Sequence, residues 1–153
     1  MAQKATKIGY QPAIASLKLS GLAKEVGPRL AEHVKPNQAL LACGETEVVV
    51  TKPGKGGRNQ DVVLSAIPKL TTDSVIVSVA SDGKDNVNVA GAIGDGSWSK
   101  KLLLKKKLDP FKAVENNQSY KLLHKLHDHL FINKVTANIS DFILVLRGNG
   151  DEN

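Results

Sequence analysis

The stretch VIVSVA at residues 75–80 decides the fold, because it is almost continuously apolar and rich in valine and isoleucine. Such a run is typical of a strand in a sheet that is covered on both faces, and we expect it to be a central strand. A second run, FILVL at residues 142–146, predicts the last buried strand of the chain.

Helical segments alternate with these strands. Apolar residues at spacings of three and four predict a helix over 19–34 that ends at Pro36. Further helices are expected around Val62 to Leu70, over 100–107, over 110–115, and behind Ser119, which is a good N-cap, as far as Leu130. Shorter strands are expected at 13–16 and 89–93, and the β-prone runs at 40–43 and 48–51 predict a hairpin.

This alternation favours an α/β fold, a three-layer α/β/α sandwich with a mixed, largely parallel sheet. No linker divides the 153 residues, so we expect a single domain over 1–153 with its core at 9–147.

The composition excludes several classes of protein. With 41% hydrophobic and 24% charged residues the chain is neither disordered, collagen-like nor a disulfide scaffold. Its longest apolar run falls far short of the roughly 20 residues of a membrane span. The single cysteine, Cys43, agrees with a reducing compartment, and we expect the protein in the cytoplasm.

A glycine-rich loop, GKGGRNQD at residues 54–61, precedes one predicted helix. Glycines let backbone amides approach an anion, the helix N-terminus adds partial positive charge, and Lys55 and Arg58 add full charges. The loop therefore has the outline of a phosphate or carboxylate site. A flexible connection with solvated charges is the alternative.

The segment SDGKD at residues 81–85 follows the central strand. Ligands gather at the carboxyl ends of strands in α/β sheets, and Asp82 and Asp85 could hold Mg²⁺ or orient a hydroxyl there. A plain polar turn explains the same residues. Asn138 and Asp141, before the last strand, are by themselves also ordinary turn residues.

Two further clusters favour no specific function. His124, His127 and Asp128 could share one helix face, but the neighbouring lysines indicate a solvated face rather than a metal site. The net charge of +6 and the lysines at 100–107 could suggest nucleic acid. With 4% aromatic residues and no nucleic-acid motif, we expect neither a nucleic-acid partner nor a membrane partner.

Taken in order, these segments resemble the MOFRL domain, the C-terminal domain of the glycerate kinases that form 2-phosphoglycerate. The matching segments are CGET at 43–46, GKGGRNQD at 54–61, SDGKD at 81–85, AGAI at 90–93, LDP at 108–110, and Asn138 with Asp141. The resemblance implies ATP-dependent, Mg²⁺-assisted phosphorylation of the 2-hydroxyl of D-glycerate. It also implies a cleft shared with a larger, Rossmann-like N-terminal domain.

The same resemblance implies roles for individual residues. Arg58 would pair with a substrate carboxylate or phosphate, and Asp82 would bind substrate hydroxyls or Mg²⁺, so these two are the expected catalytic residues. The remaining candidates would bind substrate or phosphate, or hold the loops in place; they are Lys55, Gly56, Gly57, Asn59, Asp85, Asn138 and Asp141.

The chain also departs from the family. Relatives usually have threonine, glycine, threonine and asparagine where this chain has Ser81, Asn86, Ala137 and Ser140. The shell of polar groups around the expected site is therefore thinner in this chain. The N-terminal domain, which in the family supplies a catalytic lysine, has no counterpart in the 153 residues. We therefore expect a chain that is inactive alone.

Three explanations stay open for the missing domain. The chain could be a subunit that pairs with a separately encoded N-terminal kinase domain, a non-catalytic module that binds small molecules or proteins, or a fragment of a longer protein. Met1 and the polar residues after it favour a natural start. Half of an interdomain cleft would expose an apolar patch, so a homodimer or a hetero-partner is expected.

Overall fold

The computed structural model describes residues 1–133 and 139–150. In chain order the elements are α1 (Ala2–Lys7), β1 (Gln11–Leu19), α2 (Ala23–His33), β2 (Gln38–Gly44), α3 (Arg58–Ala66), β3 (Ser74–Ala80), β4 (Gly91–Asp95), α4 (Trp98–Lys105), α5 (Pro110–Glu115), α6 (Ser119–Leu126), β5 (His129–Leu130) and β6 (Asp141–Arg147). A turn of 3₁₀-helix at Ile67–Lys69 extends α3.

The strands form one six-stranded sheet in the order β1-β2-β6-β3-β4-β5. The α/β class and the mixed sheet are confirmed, and β3 is central as predicted. The expectation of a largely parallel sheet is wrong: among the strands of the described residues, β1 and β2 pair in parallel and the other four pairs are antiparallel. The last strand, β6, inserts between β2 and β3 and runs antiparallel to both.

Burial alternates along the central strands. The main core contains Ile76 of β3 and Ile143 and Val145 of β6, whereas the alternate residues along both strands are half-buried. One face of the sheet is thus fully covered by helices, and the other less so. Of the described helices, α1 is the one that contacts β1 and β2 without joining the main core, so the third layer is thin.

Helix α3 lies at the centre of the helical layer, and its residues from Asn59 to Ala66 are all buried. It crosses α2 at Gly27, where an added Cβ would lie 2.0 Å from the backbone oxygen of Val62. A side chain at Gly27 would force the two helices apart, so glycine is required there for their close packing. This packing fixes the N-terminus of α3 relative to the sheet.

Three boundaries differ from the expectations. The predicted hairpin is wrong, because 48–51 forms no strand and Val49 and Val50 are 67% and 63% exposed. The helix expected over 19–34 begins only at Ala23, since Leu19 is still in β1. The helix predicted as far as Leu130 ends at Leu126, and Gln118 rather than Ser119 is its N-cap residue.

No helix within 1–133 or 139–150 combines the length and the apolarity needed to cross a lipid bilayer.

Candidate functional site

The candidate site lies where β2 and β3 end and β6 begins. Asp141, the first residue of β6, is the register partner of both Gly44 and Ala80. The loops that follow β2 and β3 therefore leave the same edge of the sheet on either side of Asp141. The first of these loops leads into α3, so Arg58 is placed beside this edge.

Arg58 contacts two carboxylates. Its Nε donates to Asp141 Oδ2 over 2.5 Å and its Nη2 donates to Asp141 Oδ1 over 3.1 Å. Its Nη1 lies 3.0 Å from Glu45 Oε1. The hydrogen bond to Asp141 raises the pKa of Arg58, so the guanidinium is permanently charged.

The two partners differ in exposure. The side chain of Asp141 is 5% exposed and that of Glu45 is 72% exposed, with Arg58 between them at 31%. A buried two-point contact fixes the plane of a guanidinium, whereas an exposed ion pair contributes little and exchanges readily. Asp141 therefore orients Arg58 through Nε and Nη2, and the exposed Glu45 contacts the remaining nitrogen, Nη1.

Asp85 is buried at the N-terminus of α3. Its Oδ1 accepts hydrogen bonds from the backbone and side-chain nitrogens of Asn59 at 3.1 and 3.3 Å. Its Oδ2 accepts hydrogen bonds from the backbone and side-chain nitrogens of Gln60 at 2.9 and 3.1 Å. Burial raises the pKa of Asp85, and these four hydrogen bonds oppose that shift.

The carboxylate of Asp85 thus fills the position in which the sequence suggests a ligand anion. It satisfies the free amides of the first helical turn, as a bound phosphate would. The glycines before α3 make room for this packing: a Cβ on Gly57 would lie 2.4 Å from the carboxylate of Asp85, and one on Gly56 would lie 2.2 Å from Ser119 Oγ. Their expected role in holding a substrate anion stays a prediction.

Asn59 is also an internal residue. It is 1% exposed, and its Oδ1 accepts a hydrogen bond from Ser78 Oγ of β3 over 2.5 Å while its Nδ2 bonds to Asp85. The contact ties α3 to the central strand. Asn59 therefore links the N-terminus of α3 to both Asp85 and the central strand.

The other candidates are Asp82, Lys55 and Asn138. Asp82 accepts a hydrogen bond from the backbone nitrogen of Lys84, which is ordinary turn geometry. Lys55 is exposed and lines a separate groove with Tyr120 and His124. Asn138 lies outside the described residues. The roles expected for these three residues stay predictions.

An open cavity of about 480 Å³ lies beside Arg58. Its wall includes Thr46, Gly57, Lys84 and Asp85. The volume is in the range of small-molecule sites. Arg58 and Lys84 carry positive charge on this wall and Glu47 carries negative charge there, while the oxygens of Asp85 are turned inward to α3. Binding of a small anion at Arg58 stays a prediction.

The carboxylate of Asp85 does not fit a Mg²⁺ site. Both oxygens of Asp85 are taken by N–H donors, and Mg²⁺ requires free carboxylate oxygens in near-octahedral geometry. In the part of the chain that the structure describes, no group of three His, Cys, Asp or Glu side chains could hold a metal ion. We therefore derive no step through a metal held by these residues.

The histidine segment is solvated in part: His124 and His127 are exposed, as expected, whereas Asp128 is buried. The helix ends before His127, whose backbone is left-handed with φ 64°, and Asp128 is only 7% exposed. Burial raises the pKa of Asp128 to about 6. His124 lies 6.4 Å from the ring of Tyr120, in a parallel stack.

One residue of the site has no assigned role in the sequence analysis. Glu45 lies in the CGET segment, and its approach to Arg58 depends on the pairing of β2 with β6. A carboxylate thirteen positions before an arginine carries no local signal of contact. Only the order of the strands brings the two together.

Comparison with known proteins shows the family of the chain. Residues 38–141 match the MOFRL family. A glycerate 2-kinase of Pyrococcus horikoshii is 32% identical over 159 aligned residues, which cover 95% of this chain and 36% of that protein. A D-glycerate 2-kinase of Thermotoga maritima is 33% identical over 151 residues, which cover 90% of this chain and 36% of that protein.

A solved structure is similar throughout the chain. The crystal structure of the Thermotoga maritima glycerate kinase superposes with a TM-score of 0.87 at 32% identity, over 95% of this chain and 38% of that one. The chain thus spans just over a third of the length of the relatives that it matches. From the family match and these identities, the chain belongs to the MOFRL family and is homologous to the glycerate 2-kinases.

Proposed function

We propose that this chain is the C-terminal, substrate-binding domain of a glycerate 2-kinase, and that Arg58 binds the carboxylate or phosphate of the substrate. One observation carries the proposal: the guanidinium is fixed by buried Asp141 on one edge and covered by exposed Glu45 on the other. An incoming anion can replace Glu45 without disturbing the contact to Asp141.

Such a contact would position D-glycerate. A charge-assisted hydrogen bond from Nη1 to the carboxylate, with Lys84 on the same wall, would hold the substrate in the cavity beside Arg58. Phosphoryl transfer depends on positioning and on stabilisation of charge more than on covalent chemistry. The domain would thus contribute orientation, and the 2-hydroxyl would face a nucleotide held elsewhere.

ATP with its Mg²⁺ would be bound mainly by the part of the relatives that this chain does not match. The match covers 36% of the Pyrococcus and Thermotoga proteins, which leaves nearly two thirds of each for a second domain. The proposal therefore includes a partner kinase domain, either attached or separately encoded. We place the complex in the cytoplasm, where the single Cys43 would stay reduced.

A second function is a non-catalytic module that binds a small molecule or a protein, alone or as a homodimer. It is favoured by the state of the α3 N-terminus, where Asp85 already occupies the anion position. In this alternative, Glu45 and Asp141 together neutralise Arg58 permanently, and no substrate anion reaches it.

Calorimetric titration separates the two functions. D-glycerate, 2-phosphoglycerate and MgATP are titrated into the chain and into Arg58→Ala. The kinase-domain proposal expects saturable binding of D-glycerate or 2-phosphoglycerate that is lost in Arg58→Ala. If none of the three ligands gives a heat of binding, or if the binding is unchanged in Arg58→Ala, the non-catalytic module is favoured.

A further inference from the structure

A second cavity lies next to the one beside Arg58. It has a volume of about 450 Å³ and shares Glu47 and Val48 with the first cavity. Part of its wall is aliphatic, made by Leu22, Val48, Val49 and Val114. A volume and a lining of this kind suit a compact organic ligand.

Asp61 of α3 also lines this cavity, and it is 2% exposed. No hydrogen-bond donor among residues 1–133 and 139–150 reaches its Oδ1. A buried carboxylate oxygen without a donor is costly, because the group has lost its water and gained nothing in return. The oxygen is therefore suited to accept a hydrogen bond from a ligand.

The burial of Asp61 also changes its pKa. Burial, with a smaller contribution from the charge of Asp85, raises the pKa to about 7, and the nearby hydroxyl of Ser119 opposes the shift. That hydroxyl makes no hydrogen bond of good geometry within the described part of the chain. A cation beside Asp61 would stabilise the charged form of the carboxyl group.

The remaining charges of the cavity cancel. Lys24 and Lys52 carry positive charge on its exposed rim, and Glu47 and Glu115 carry negative charge there. Lys52 Nζ donates to Asn116 Oδ1 over 2.6 Å, so this ammonium already has a partner on the rim. The buried carboxylate of Asp61 therefore decides which sign of ligand charge the cavity favours.

We propose that this cavity binds a small primary alkylammonium ion, whose N–H group donates to Asp61 Oδ1 and whose carbon chain packs against Leu22, Val48 and Val114. An ammonium has donors and no acceptors, which matches an oxygen that lacks a donor. An anion would be repelled, and a neutral alcohol would supply a weaker hydrogen bond without the charge. The site does not include Arg58, and the proposal does not depend on substrate binding there, although the two cavities share Glu47 and Val48.

Titration with n-butylammonium chloride, followed by NMR, tests the proposal on the whole chain. The expected result is saturable shifts of the methyl signals of Leu22, Val48 and Val114. Potassium chloride, sodium butyrate and 1-butanol at equal concentration serve as the salt, anionic and neutral comparisons. Shifts that are absent with butylammonium, or equally large with butanol, would overturn the proposal.

Variants locate the carboxylate that binds. Asp61→Asn keeps the shape of the side chain and should weaken binding at least about tenfold, whereas Glu32→Gln, an exposed carboxylate on α2, should leave it unchanged. Equal affinity of Asp61→Asn and the wild-type chain would contradict the assignment.

A measurement on the wild-type chain covers the case in which Asp61→Asn fails to fold. The ¹³C signal of the Asp61 carboxyl group reports its titration directly. Butylammonium should lower the pKa of this group from about 7, and its affinity should rise with pH through that value. A titration curve that butylammonium leaves unmoved would rule the site out.

Discussion

Replacement of Asp141 by asparagine removes the charge that orients Arg58 while keeping the size of the side chain. The wild-type carboxylate makes two hydrogen bonds to the guanidinium, at 2.5 and 3.1 Å, and its side chain is 5% exposed. An asparagine offers one acceptor in place of two and places an N–H group against another donor. The guanidinium is then left with its exposed partner, Glu45.

The size of the effect follows from burial. Removing one partner of a fully buried ion pair costs about 3–5 kcal/mol, because the other charge stays buried and unpaired. Arg58 is 31% exposed, so water recovers part of that loss. We expect Asp141→Asn to lower the free energy of unfolding by about 2 kcal/mol, and the melting temperature by about 4–8 °C.

Urea denaturation of the wild-type chain, Asp141→Asn and Glu45→Gln measures this difference. Glu45→Gln removes the contact on the exposed side, and we expect a change of less than about 1 kcal/mol. A change for Asp141→Asn that is within error of zero, or no larger than that for Glu45→Gln, would refute the claim that the buried contact to Asp141 holds Arg58 and the exposed contact to Glu45 contributes little.

Three further predictions concern α3. Gly27→Ala places a Cβ 2.0 Å from the oxygen of Val62 and should destabilise the fold by about 2 kcal/mol in urea denaturation, whereas Gly148→Ala, with no atom nearer than 3.6 Å, should change little. Asp85→Asn keeps one acceptor oxygen and replaces the other by an N–H donor, so one backbone amide of the first turn loses its acceptor and the fold should lose about 2 kcal/mol; an unchanged midpoint would show that this cap is dispensable. The pKa of Asp61 in the folded chain is about 7, against an ordinary value of 3.8, so the wild-type chain loses stability as the pH rises from 3.8 to 7. Asparagine does not titrate, so the stability of Asp61→Asn relative to wild type should rise over this interval. A difference that does not change with pH would contradict the prediction.

Much of the fold could be predicted from local pattern. The apolar runs at 75–80 and 142–146 are β3 and β6, and the helix after the glycine-rich loop is α3. In each case the pattern is continuous or periodic over several residues, so burial and local geometry favour the same structure. The runs at 40–43 and 48–51 show where this reasoning fails: valines favour strands, but β2 pairs with β1 on one side and β6 on the other, so 48–51 cannot pair with it as a hairpin.

The direction of the strands could not be predicted in the same way. Alternation of strands and helices favours parallel pairing, and the chain departs from it because its final strand returns between β2 and β3. That insertion is a long-range pairing with no local signal. It also creates the site, since it places Asp141 between the ends of two strands and within reach of Arg58.

The candidate site was predicted in part. Arg58, Asn59, Asp85 and Asp141 do come together, as the resemblance implies. The arrangement among them was not predictable, because a glycine-rich loop before a helix looks the same whether the helix caps a ligand or an internal carboxylate. The contact between Asp85 and α3 depends on how two separate loops pack.

Direct observation of the Arg58 guanidinium by ¹⁵N NMR during titration with D-glycerate and 2-phosphoglycerate tests the central claim most directly. The claim predicts that the Arg58 Nε and Nη signals shift saturably, and that Glu45→Gln binds the same ligands at least as tightly, because the competing carboxylate is gone. Arg58 signals that stay unmoved by either ligand, in the wild-type chain and in Glu45→Gln alike, would contradict the claim that Arg58 holds the substrate anion.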